Sequence, residues 1–185
     1  MAATRYSLTQ RLLHWLIALL VFVLLAVGFT FWTLGYDGTV DFFGNEITNL
    51  LYKYHKTFGV LVLILMIVRV ALRRASPPPA YTPPLTATER VVSRTTHLLM
   101  YALLLGMPIG GWLATASGGY PVQFFDWELP GLIGKNEALS ERLFQFHGIG
   151  GLILTALLAL HIGAGLRHWI RKDGIMRRMS LPCSC

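Results

Sequence analysis

Carboxylates are scarce in this chain. Its 185 residues hold nine Asp and Glu against sixteen Lys and Arg, and charged residues make up 14% of the whole while hydrophobic ones make up 54%. The acids are missing from four apolar stretches, residues 12–32, 54–72, 91–116 and 144–170. A soluble domain with one core does not group its residues this way, and each stretch is near the ~20 residues that cross a bilayer as a helix. The same lack of intramembrane carboxylates argues against a histidine-lined proton or metal transporter. Cysteine is nearly missing too. Cys183 and Cys185 end the chain as Cys-Ser-Cys, which matches neither a prenylation box nor a zinc spacing, so an exposed, reduced tail is expected.

The net charge of +7 does not point to nucleic acid, because the basic residues flank the apolar runs instead of coating a soluble surface. Twelve of the sixteen fall at the N-terminus, in the second connection and at the C-terminus; Lys53, Lys56, Lys135 and Arg142 lie on the other face with seven of the nine acids. The positive-inside rule then places both termini in the cytoplasm. A cleaved signal peptide is the rival reading of the first run, with Ala26-Val27-Gly28 as the cleavage site. The run is longer than a usual signal core and cleavage would remove His14, so retention is expected. Trp15 and Trp32 bracket the run about 25 Å apart, as in an aromatic belt.

Ser7 or Thr9 is positioned to cap the first helix, and Thr86-Ala87-Thr88-Glu89 has the form of a capping box for the third. The glycine-rich, acidic connection from Thr33 to Lys53 predicts a periplasmic excursion with little structure of its own. Ser76-Pro77-Pro78-Pro79 through Pro83-Pro84 predicts a stiff, non-helical cytoplasmic link. Pro108, with Gly106, Gly110 and Gly111 nearby, predicts a kink in the third helix. The connection from Ser117 to Ser140, with Tyr120, Phe124, Phe125 and Trp127, is expected across the periplasmic mouth.

The histidines carry the chemistry. His147 and His161 are fourteen residues apart on the last run; at 100° per residue they face one side, about 21 Å apart in depth. His14 is level with His161, and His55 with His147, which predicts the pairs His14 with His161 and His55 with His147. Two neutral imidazoles converging in an apolar bundle, with no cysteine or carboxylate beside them, suit a six-coordinate haem iron; zinc asks for further ligands. A porphyrin pressed against its ligand helix needs a small neighbour one turn on. The i+4 residues are Ala18, Gly59, Gly151 and Gly165 for these four, but Tyr101 for the competitor His97 and Lys172 for His168.

Arg11-Leu12-Leu13-His14-Trp15, Tyr54-His55-Lys56-Thr57-Phe58-Gly59, His97-Leu98-Leu99-Met100-Tyr101, Met107-Pro108-Ile109-Gly110, Phe146-His147-Gly148 and His161-Ile162-Gly163-Ala164 together resemble the bacterial cytochromes b561. These are four-helix, di-haem proteins related to the cytochrome b subunits of nickel-iron hydrogenases and formate dehydrogenases. The resemblance spans nearly the whole chain. It implies one all-α integral membrane domain over residues 1–185 in the bacterial inner membrane, with two b-type haems in the bundle core, His14 and His161 holding the cytoplasmic-side iron and His55 and His147 the periplasmic-side one. Arg11, Arg69 and Arg167 are the propionate candidates on the cytoplasmic side. Two axial imidazoles leave no open iron position, so single-electron transfer is expected.

Members resembling this chain include superoxide oxidases, oxidoreductases that take an electron from superoxide at the periplasmic face and reduce ubiquinone. In that case Lys53, Lys56 and Arg142 attract the anion, and His168, Lys172, His97 and Arg94 are the quinone candidates. The alternative is a haem-bearing anchor subunit that passes electrons between a protein redox partner and the quinone pool.

Overall fold

The structure is a computed structural model that describes residues 5–81 and 84–181. Cys183, Cys185 and Pro83 lie outside the described residues. Three helices are long and apolar enough to cross a membrane: α1 (Leu8–Ala75), α2 (Ala87–Ser117) and α3 (Glu137–Arg171).

Helix α1 would be about 100 Å long if straight, several times the ~30 Å hydrocarbon thickness of a bilayer. It is not straight. Gly35 (φ 65°, ψ −172°) and Gly44 (φ 79°, ψ 162°) leave helical geometry in a region open essentially to glycine alone. The two arms fold back on one another. Near the ends of α1, Gln10 Nε2 donates to Leu72 O and Ser76 O at 3.3 and 2.9 Å; near the bend, Phe31 stacks on Tyr52 at 3.8 Å. Leu13, Ile17 and Val21 of the first arm meet Val62 and Met66 of the second and Leu154 of α3 in the buried core.

The connection expected to lack structure is therefore helical from one glycine to the other. Its polar residues are compatible with a short surface helix, and the two glycines supply the reversals. The caps match the sequence: Ser7 closes a capping box with Gln10, and Thr86 closes one with Glu89. Helix α2 stays helical through Pro108.

The all-α architecture holds, with one short addition between α2 and α3. Val122–Phe124 (β1) and Trp127–Leu129 (β2) form a short antiparallel hairpin. Its turn carries no Asn-Gly signal and holds Phe125 at φ 55°, unusual for a bulky residue. Tertiary contacts hold that conformation: Phe125 N–H donates to the buried Thr57 Oγ1 at 3.1 Å, and Lys56 Nζ donates to Pro121 O at 3.0 Å. The hairpin is thereby tied to the two residues that follow His55.

Apolar side chains also cover the outside. Leu19, Ile67, Leu98 and Leu160 are each more than half exposed. In water such a surface would drive aggregation; against lipid it is the matched solvent.

Candidate functional site

The fourteen-residue interval between His147 and His161 recurs on every element that lines the bundle. On the first arm of α1 it separates His14 from Gly28, on the second arm His55 from Arg69, and on α2 His97 from Gly111. The result is two layers about 21 Å apart along the helix axes.

One layer holds Gly28, His55, Gly111 and His147. The ring centroids of His55 and His147 are 6.2 Å apart at 70°. An imidazole nitrogen lies about 2 Å from a metal it ligates, and the ring centre lies roughly 1.2 Å behind it, so two rings facing one metal have centroids ~6.4 Å apart. The observed separation has that size. A Cβ built on Gly28 would lie 3.3 Å from His55 Cε1, and one on Gly111 would lie 3.1 Å from His147 Cε1. These two glycines make room for the rings. His147 Nδ1–H donates to Met107 O at 3.2 Å, since a carbonyl can only accept; Nε2 keeps its lone pair for a ligand.

The two histidines line an apolar cleft, with Leu25, Val62, Met107 and Leu154 among its walls. Gly59, one turn after His55, faces open space: a Cβ there would meet no atom within 4 Å. Trp32 enters the same cleft and lies where a side chain on Gly148 would be. Two imidazoles at this separation, Nε2 left free on His147 and Nδ1 of His55 buried without a partner, together with an apolar cleft and a bare glycine shelf, fit a b-type haem.

The other layer holds His14, Arg69, His97 and His161. His14 and His161 are again 6.2 Å apart, at 75°, and His97 stands 5.2 Å from His161 at 90°. Sequence reasoning separated His97 from this pair by its i+4 neighbour, whereas the structure brings it into the cluster, its Nδ1–H given to Ser93 O at 2.6 Å. Arg69 is within electrostatic range of all three histidines. Its Nε donates to Tyr101 Oη at 3.2 Å, while Nη1 is buried without a partner. Arg11 gives Nη1 to Ser180 O at 2.7 Å, and Arg167 pairs with Glu89 at 3.1 Å.

The three cations proposed for anion attraction are not equivalent. Lys53 pairs with Asp126 at 2.7 Å, Lys56 is half-buried on the Pro121 carbonyl, and Arg142 is exposed on the second turn of α3. The Asp126 bond holds Lys53 above its usual range and Asp126 below the usual carboxylate value. The sign is clear for both members. The depressed Asp126 contributes above its ordinary value near 3.8 and loses that contribution as pH falls through its lowered value, while the raised Lys53 loses its own only at strongly alkaline pH. Hairpin docking, followed by Trp127 fluorescence, is therefore expected to be flat from about pH 5 to 9 and to weaken below about 4. A change centred near neutrality would contradict this pairing.

The four quinone candidates are not gathered into one pocket. His97 is in the histidine cluster, and Arg94 and Lys172 are exposed, with Lys172 capping α3 in left-handed geometry. His168 Nδ1 meets Asp173 Oδ2 at 2.6 Å. Desolvation works to raise the Asp173 carboxyl, but hydrogen bonds from His168 and the Ile175 amide outweigh it and hold it below its ordinary value. Gly28, Gly111 and Trp32 were not singled out as site residues from the sequence. The fourteen-residue interval would have found the two glycines; nothing local marks Trp32.

Residues 5–180 match the family described as prokaryotic cytochrome b561. Cytochrome b561 homolog 2 of Escherichia coli K12 is 29% identical over 177 residues, covering 95% of this chain and 90% of the relative. Cytochrome b561 homolog 1 of the same organism is 27% identical, covering 95% and 96%, and the probable superoxide oxidase CybB of Yersinia pestis is 24% identical, covering 95% of each. The match runs through both histidine layers and nearly the whole described chain, and the family implies b-type haem and membrane electron transfer: this chain belongs to the prokaryotic cytochrome b561 family.

Proposed function

We propose that the two arms of α1 each cross the bacterial inner membrane beside α2 and α3, making a four-helix bundle with two b-type haems that carries electrons from superoxide at the periplasmic face to ubiquinone in the membrane. The observation that carries this reading is the pair of 6.2 Å histidine separations at two depths on α3. When bound, two bis-histidine haems supply a one-electron relay without an open iron position. His14 and His161 would hold the cytoplasmic-side group, and His55 and His147 the periplasmic-side one. Met107 O fixes the His147 tautomer that ligation requires.

Arg69 and Arg11 are the better-placed propionate partners on the cytoplasmic side, because Arg69 Nη1 and Arg11 Nε are buried without an acceptor, whereas Arg167 is paired with Glu89; of the two, Arg69 stands in the histidine layer itself. Lys56 and Arg142 would draw the superoxide anion, with Lys53 screened by Asp126. On the cytoplasmic side the His168–Asp173 pair holds a proton between Nδ1 and Oδ2, at the surface where a reduced quinone takes up protons. The similarity to the probable superoxide oxidase of Yersinia supports superoxide as the donor. The distribution of basic residues supports cytoplasmic termini.

The test is an optical spectrum of the purified, air-oxidised protein, exposed to a superoxide source and then to ubiquinone. Low-spin b-type bands should grow with superoxide and fade with quinone. Bands that need dithionite would move the electron donor to a protein partner and favour an anchor subunit. Charge substitutions sharpen the test. Asp126→Asn should raise the superoxide rate at low salt and Arg142→Gln should lower it, each about twofold, the effect of one charge acting over about 10 Å in water. Rates unmoved by either substitution would exclude the cationic funnel.

A further inference from the structure

We propose that the C-terminal segment, residues 174–181, is a strap that sets the spacing of His14 and His161, and that Arg178 is its anchor. The inference rests on the haem reading of that pair. Helix α3 packs mainly against α2 and meets α1 much less, yet His14 is on α1 and His161 on α3. The two rings therefore need another tie between their helices, and the strap supplies one.

After Gly174, at φ 85°, the chain turns back through a short 3-10 helix at Met176–Arg178. At its α3 end, Met176 Sδ lies 3.3 Å from the position of a Cβ on Gly165, one turn beyond His161. At its α1 end, Trp15 Nε1 donates to Met179 O at 3.0 Å and Arg11 Nη1 donates to Ser180 O at 2.7 Å. Trp15 is the immediate neighbour of His14, and Arg11 is about one turn before it. A displaced strap would release both sides of the pair together.

Arg178 holds the strap in place. It is the one charged residue, among the described residues, that is buried, at 7% exposure. Its guanidinium lies 3.7 Å from the Tyr81 ring centre and 5.5 Å from that of Tyr6, and Nη2 donates to Pro79 O. Its own carbonyl accepts Tyr6 N–H at 3.1 Å. A planar cation between two tyrosines joins the N-terminus, the proline link and the strap at one point. A lysine ammonium lacks the plane that makes this stack. Met176 lies over Gly165, the turn on which a macrocycle held by His161 would press, and its flexible thioether can swing aside to cover the edge of that group.

The experiment compares the full-length wild type with Arg178→Ala, Arg178→Lys and Tyr6→Phe, by hydrogen exchange of residues 176–181 and by the low-spin electron paramagnetic resonance signal and midpoint potential of each haem. The haem signals are assigned with His14→Ala and His147→Ala. Arg178→Ala should speed exchange in the strap roughly tenfold, the size of a lost buried cation–π contact and hydrogen bond. The cytoplasmic-side haem signal should shift and its potential fall, because admitted water favours the charged oxidised state. The periplasmic-side signal should not move. Arg178→Lys should fail to rescue, and Tyr6→Phe, which keeps the ring, should behave as wild type.

A loosened strap with both haem signals unchanged would overturn the positioning role, and unchanged exchange would overturn the anchor. Should Arg178→Ala not fold, Trp15→Phe removes only the donor to Met179 O; it should shift the same haem signal by less, and no shift would again overturn the proposal. A wild type that binds no haem would sink the proposed function, while strap exchange in the same samples would still report on Arg178.

Discussion

Replacing His147 with alanine is expected to lower the haem content from two per chain to one, measured as pyridine haemochrome against protein. His147 and His55 are the only histidines in their layer, and the one other side chain named in the apolar cleft that can ligate iron is the Met107 thioether, a weaker donor on a different helix from either histidine. With His147 gone, a single imidazole remains opposite Met107 and Gly111. His55→Ala should give the same stoichiometry, and His14→Ala or His161→Ala should remove the other haem.

His97→Ala is the sharper control, because His97 is nearer to His161 than His14 is, 5.2 Å against 6.2 Å. The pairing argued above requires this variant to keep both haems, since a bulky Tyr101 stands one turn beyond His97. If His97→Ala loses a haem and His14→Ala does not, the cytoplasmic-side pair is His97 with His161.

Gly59→Leu is expected to have opposite effects on the protein and on its haem content. Glycine inside a helix costs about 1 kcal/mol relative to good helix formers, and a Cβ at this position meets nothing within 4 Å. The polypeptide alone should accept leucine without loss, or gain about 1 kcal/mol. The space that leucine fills is the shelf one turn beyond His55, where a macrocycle held by that residue must lie. Haem content should therefore fall towards one per chain while helix content and expression are kept. A variant that folds and keeps both haems would show that the cleft lined by His55 and His147 is not the seat of a macrocycle. Gly148→Ala is a poorer probe, because a Cβ there collides with Trp32 and confounds folding with binding.

Much of this protein was legible from its amino acids. The four apolar runs, the capping boxes at Ser7 and Thr86, and the levels of His14, His55, His147 and His161 all follow from the period and rise of one helix, which local backbone geometry dictates wherever the helix packs. The small residues Ala18, Gly59, Gly151 and Gly165 were read the same way; a Cβ on Gly59 meets nothing within 4 Å, whereas one on Gly165 would lie 3.3 Å from Met176 Sδ. Other features depend on how helices are rotated and crossed, which no single helix encodes. The reversals at Gly35 and Gly44 turned an expected loop into helix. Packing placed Gly28 behind His55, Gly111 behind His147 and Trp32 on Gly148, and it drew His97 up to His161. Partners distant in sequence decided the rest: Thr57 holds Phe125 in a turn its sequence does not announce, Asp126 neutralises Lys53, and Arg178 closes the C-terminal strap on Tyr6, Pro79 and Tyr81. Periodicity belongs to a segment, but a contact belongs to two segments at once, and only the assembled fold brings both to the same place.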